Sequence, residues 1–306
     1  MPRLSTVAPA LVALFALMVT VACGDSDSTS DETGGKLKVV ATTVQIGALV
    51  REVGADKIDL VVLVGPGVDP HDYEATTNDL KAIKASSVVF ANGLGLDSFL
   101  AKAINSAGGK DKMVIVTDGV RLRSTPGAES EKDPHVWHNP ENDQVMVDNI
   151  AAALSRRDAP NATTYRGNAD AYKTVLDDTD RQIRTLIDSI PPSNRKMVTN
   201  HDAFGYFIDR YGLTFVGAVI PGSSTQGETS PKDIAALTSL IRREGVKAIF
   251  SERTVDPKVA REIAKDTGVR IIDDLYGDSL GEPGSGAETV HGMLLANAKR
   301  ISEALK

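Results

Sequence analysis

The chain has 306 residues, with 34 Lys+Arg against 41 Asp+Glu and a formal net charge of −7. That length predicts two globular domains, and an apolar fraction of 42% supplies cores for them. The acidic balance, with no Lys/Arg-rich stripe, excludes the electrostatic footprint of a nucleic-acid binder. A single cysteine excludes both an intramolecular disulfide and a thiolate metal cluster.

Residues 1–22 combine Arg3 with an apolar run over 7–22, broken only by Pro9 and Thr20. The run is shorter than the ~20 residues a membrane span needs and ends in small residues, so it predicts an export signal. Cys23 stands at the expected cut, in Thr-Val-Ala-Cys-Gly. This resembles a bacterial lipobox, with Thr20 where Leu is usual, and the resemblance implies lipidation of Cys23. Residues 23–35 are acidic and rich in Ser, Thr and Gly, a composition expected of a disordered tether.

From Lys36 the pattern is strand LKVVATT, helix IGALVREVG, strand IDLVVLVGPG and helix TTNDLKAIKASS. Strand SVVFANG, helix LDSFLAKAINSAGG and strand KMVIVTDG follow. This alternation predicts a parallel sheet with helices on both faces. A second series runs RKMVTN, DAFGYFIDRYG, LTFVGAVIPG, SPKDIAALTSLIRREG, VKAIFSE, DPKVAREIAKDTG and VRIIDDLYG. Pro66-Gly67 aligns with Pro221-Gly222, and Asn78-Asp79 with Lys232-Asp233, so the halves share a design. The fold class is therefore α/β, with two parallel-sheet lobes over 36–160 and 193–306. Between them, 161–192 carries Tyr172, Leu176, Ile183 and Ile187 at helical spacing, stopped by Pro191-Pro192. A helix of that length spans on the order of 40 Å and makes a stiff hinge.

Ligands of parallel sheets bind beyond the C-terminal ends of the strands. His71, His135 and His201 follow strand ends there, as does the acidic run with Asp273, Asp274 and Asp278. Two positions come from each lobe, so a cleft between lobes is the expected site. Imidazoles and a carboxylate suit a divalent metal such as zinc. His201 is expected at a helix N-terminus, where the dipole keeps the ring neutral and free to ligate. Asp and Asn residues flanking each histidine are candidate acceptors for the other ring N–H. His138 competes with His135, and Asp273 and Asp274 compete with Asp278. Glu228 and Glu252 are candidate supporting acids, and His291 reads as a surface or packing residue.

The motifs DPHDYE, DPHVW, NHDAFGYF followed by YGL, ETSPKDIAAL and YGDSL together resemble the zinc/manganese solute-binding lipoproteins of bacterial ABC importers. The likeness runs in order from about Lys36 to the C-terminus. It implies two α/β lobes joined by a long helix, one buried metal, and the ligand set His71, His135, His201 and Asp278. It implies His135 over His138, and the aspartate before Ser-Leu. A histidine at 201, where manganese-preferring relatives often carry Glu, favours zinc, with manganese as the alternative. The loop RLRSTPGAESEKD lacks the histidine-rich tract of many zinc members. The implied partners are a permease with its ATPase, and the membrane through a lipid anchor. The implied location is extracytoplasmic, at the cell membrane, and the chain is expected to be monomeric.

The rival classes are weaker. A zinc hydrolase keeps an open metal position, whereas four protein ligands close the shell, and neither H-E-x-x-H nor G-x-S-x-G occurs. Nothing in the sequence specifies an adhesive surface. An aromatic content of 5% argues against an organic solute.

Overall fold

The computed structural model describes residues 1–2, 35–125 and 128–306. Nearly all of the expected leader and tether, with Cys23, lies outside the described residues. Among the described residues, no helix is long and apolar enough to cross a membrane.

The first lobe runs β1 (Leu37–Thr43), α1 (Val44–Gly54), β2 (Ile58–Val64), α2 (Thr77–Ala85), β3 (Val88–Ala91), α3 (Ser98–Ser106) and β4 (Met113–Ile115). An antiparallel pair, β5 (Ser124–Thr125) and β6 (Ala128–Lys132), follows where the sequence predicts only a loop. Then come α4 (Pro140–Arg157) and α5 (Ala162–Asp188). The second lobe runs β7 (Lys196–Thr199), α6 (Gly205–Tyr211), β8 (Thr214–Ala218), α7 (Pro231–Glu244), β9 (Ala248–Glu252), α8 (Lys258–Thr267), β10 (Arg270–Leu275) and α9 (Val290–Leu305).

Both four-stranded sheets are parallel, in the orders β2-β1-β3-β4 and β8-β7-β9-β10. Counted from each lobe's own first strand, the two orders are identical. The aligned landmarks also coincide. Gly67 and Gly222 both adopt positive φ, 73° and 94°, where the chain turns after the second strand. Thr76 with Asp79, and Ser230 with Asp233, form the same reciprocal capping box at the starts of α2 and α7.

α5 has 27 residues and spans about 40 Å at 1.5 Å per residue. It buries Tyr165, Ala169, Tyr172, Leu176, Thr179, Ile183 and Ile187, a stripe repeating every three or four positions. Its N-terminal half binds the first lobe, Asn168 donating to the Val53 carbonyl at 3.0 Å. Its C-terminal half binds the second, Arg210 and Tyr211 reaching Asp180 at 2.6 and 2.9 Å. One continuous apolar core joins Leu49, Ile150 and Leu176 to Phe207, Met293 and Ile301. Wide separation of the lobes would expose that core to water, so the joint admits only a small angle of opening.

Candidate metal centre

The two Asp-Pro-His tripeptides fold the same way. Asp69 Oδ1 accepts the His71 N–H at 2.8 Å, and Asp133 Oδ1 accepts the His135 N–H at 2.9 Å. Proline cannot donate, so the aspartate turns back to the histidine amide two residues on. His71 is thereby held beyond β2, and His135 beyond the β5–β6 pair. His201 lies on the turn after β7, and Asp278 lies beyond β10.

These four residues converge, each offering one ligand atom within 4.8 Å of the others. His71 Nε2 is 3.2 Å from Asp278 Oδ2, and His135 Nε2 is 3.2 Å from Asp278 Oδ1. His201 Nε2 is 3.3 Å from Asp278 Oδ2 and 3.4 Å from His135 Nε2. A tetrahedron with bonds of 2.0–2.1 Å has edges of about 3.3–3.4 Å, which these four contacts approach using both Asp278 oxygens, while the whole set of ligand atoms lies within 4.8 Å. Three of the four side chains are fully buried, and His71 is 9% exposed. That edge opens on a cleft of about 620 Å³ lined by Ser98, Lys102, Lys132 and Gln226.

The rings are held from behind. His135 Nδ1 is 2.8 Å from Asp133 Oδ1. His201 Nδ1 meets Glu252 Oε1, while Glu252 Oε2 accepts the Asp278 N–H at 2.8 Å. Gly277 makes room for this, since a Cβ there would overlap the Glu252 carboxylate. Such contacts fix tautomer and ring angle, leaving Nε2 for a metal.

Burial alone would make His135 harder to protonate, but Asp278 and Asp133 outweigh it and raise its pKa to about 9. His201 is raised likewise, against burial, by Glu252 and Asp278. The expectation that a helix dipole keeps His201 neutral is therefore corrected. α6 begins only at Gly205, and two carboxylates dominate the ring's field. Asp278 is held well below the carboxylate range, the charges of His135 and His201 overcoming its burial. Without an ion, protons on these rings supply the positive charge that a divalent cation would replace.

The other candidates lie elsewhere. His138 is buried against Phe204, ring centroids 4.8 Å apart, and burial pushes its pKa down to about 3. Glu228 is exposed on the loop before α7, so it does not support the cluster. Asp273 pairs with Arg261 at 2.5 Å, and Asp274 with Arg300 at 2.7 Å, both outside the cleft. His291 sits between Tyr172 and Thr289, as a packing residue would. Sequence reading missed Trp137, whose indole N–H donates to the Gly277 carbonyl across the lobes at 3.1 Å. It also missed Arg123. No local motif signals the Trp137 contact or the pairing of Arg123 with Asp202 and Asp209, because those partners belong to the other lobe.

The family model described as "Zinc-uptake complex component A periplasmic" matches residues 39–304. Among curated proteins, the chain is 34% identical to the manganese-binding lipoprotein MntA of Bacillus subtilis over 300 residues, 96% of this chain and 97% of that one. It is 31% identical to the iron ABC transporter substrate-binding lipoprotein MtsA of Streptococcus pyogenes, over 99% of this chain and 98% of that one. Among solved structures, the periplasmic zinc-binding protein TroA of Treponema pallidum superposes with a TM-score of 0.83 at 30% identity. That match covers 89% of this chain and 99% of TroA.

Proposed function

The chain belongs to the periplasmic zinc-uptake component A family, the metal receptors of ABC importers, and from that premise we propose that it captures one divalent ion, zinc foremost. The family comprises solute receptors, not enzymes. His71, His135, His201 and Asp278 hold the ion, and Asp133 and Glu252 orient two of the rings. The observation that carries this reading is the convergence of three imidazoles and one carboxylate within 4.8 Å in a buried interlobe site. Three nitrogen donors favour zinc over harder ions.

One observation favours manganese as the second reading. Both Asp278 oxygens face the cluster, Oδ1 toward His135 and Oδ2 toward His71 and His201. A carboxylate binding through both oxygens raises the coordination number, which suits manganese better than zinc. The relative named for manganese supports this alternative.

The ion passes to a membrane permease driven by its ATPase, and release follows from a small opening of the lobes on docking. Lipidation of Cys23 would tether a monomer to the outer face of the cell membrane through residues 23–35. The lipoprotein names of the relatives support this placement.

The test is a competition titration of metal-stripped chain 24–306 with zinc and manganese against a chromophoric chelator. The expected result is one tight equivalent of zinc that manganese does not displace. Displacement by manganese would make the second reading correct, and binding of neither would overturn both.

A further inference from the structure

Asp133 and Asp202 lie across the lobe interface from one another, one behind His135 and the other next to His201 in sequence. Both are almost wholly buried, at 1% and 4% side-chain exposure. Left to themselves, two such carboxylates repel, and in a low-dielectric interior the repulsion is large. The Arg123 guanidinium stands between them. Its Nη1 is 2.7 Å from Asp133 Oδ2 and 3.8 Å from Asp202 Oδ1, and its Nε is 3.1 Å from Asp209 Oδ2. Arg123 and Asp133 belong to the first lobe, and Asp202 and Asp209 to the second.

The surroundings are built to admit this side chain. A Cβ at Gly205 would overlap the guanidinium, so the start of α6 makes room for it. Tyr206, the next residue, donates from its hydroxyl to the Asp133 carbonyl at 3.0 Å and accepts the Arg123 backbone N–H at 3.2 Å. The guanidinium is 17% exposed, on the wall of a cleft of about 450 Å³ that also includes Arg121, Asn139 and Arg210.

We propose that Arg123 is the positioning residue that turns a like-charge repulsion between the lobes into an attraction and so sets how long the metal is retained. This rests on the metal-receptor reading. Arg123 touches none of the four candidate ligands. It acts through Asp133 on the seat of His135, and through Asp202 and Asp209 on closure of the second lobe.

The experiment loads chain 24–306 with one equivalent of zinc and follows release into excess chelator by stopped flow. Arg123→Met is expected to accelerate release by up to about 10-fold, the lower end of the 10- to 100-fold affinity loss seen when a direct partner of a metal ligand is removed, because it acts through Asp133. Arg123→Lys, which keeps a cation there, should recover part of the loss. The decisive variant is the double change Arg123→Met with Asp202→Asn. Removing one of the repelling charges should slow release again, a recovery that lost packing alone would not give. Gly205→Ala, which displaces the guanidinium without deleting it, should mimic Arg123→Met and serves if that variant does not fold. Unchanged release in Arg123→Met and Gly205→Ala would overturn the proposal, as would faster release that Asp202→Asn fails to relieve. Failure of the unmutated chain to bind zinc or manganese would overturn the receptor reading instead.

Discussion

Glu252 uses its two oxygens for two different parts of the cluster: Oε1 meets His201 Nδ1, and Oε2 accepts the Asp278 backbone N–H at 2.8 Å. One buried acid at the end of β9 thus aligns a ring from the turn after β7 and the loop after β10. Glu252→Ala should weaken metal binding about 10- to 100-fold while keeping one site per chain. A competition titration measures this. Gly277→Ala should act in the same direction, because its Cβ would displace the Glu252 carboxylate.

Metal and protons compete for the same nitrogens. His135 has its pKa raised from 6.5 to about 9, and His201 is shifted the same way. At pH 7 the ion should therefore release about two protons on binding. Calorimetric titrations in buffers of different ionisation enthalpy measure that number. The stability sign follows from the raised pKa. The contribution of His135 to the metal-free fold is fully present below pH 6.5 and is lost as pH rises through 9. The Tm of stripped protein should fall through that window while the stabilisation by metal grows.

Trp137 is the chain's single tryptophan, and its indole donates to Gly277 of the opposite lobe. Its emission therefore reports the lobe interface and little else. Fully buried emission is expected while the lobes stay closed, and a red shift is expected when they part. Trp137→Phe, which removes the hydrogen bond across the lobes, should speed metal release without changing stoichiometry.

His138 distinguishes packing from ligation. His138→Ala removes a ring buried against Phe204 and should cost about 2–4 kcal/mol of stability, read by denaturant unfolding. One equivalent of metal should still bind. Ala at His71, His135, His201 or Asp278 should instead abolish tight binding.

Much of this was legible along the chain because the code is local. The α/β alternation, the turn glycines after β2 and β8, and the long stripe of α5 depend on residues near in sequence. The Asp-Pro-His tripeptides point to two candidate ligands through their likeness to the family motifs, and in the fold each aspartate accepts its own histidine amide. The rest depends on what the other lobe brings. His201 was expected to feel a helix dipole, but its environment is set by Glu252 and Asp278, which are distant in sequence. Arg123 reads as an ordinary loop cation until Asp202 and Asp209 face it. Glu228 lies near the same sheet edge, yet its loop leaves it in solvent.

The most direct test of the centre is X-ray absorption at the zinc edge on chain 24–306 loaded with one equivalent. Three imidazole nitrogens and carboxylate oxygen at about 2.0–2.2 Å are expected, with one imidazole lost in His201→Ala. A spectrum with fewer than three imidazoles, or one left unchanged by His201→Ala, would contradict the assignment of His71, His135, His201 and Asp278 as the ligands.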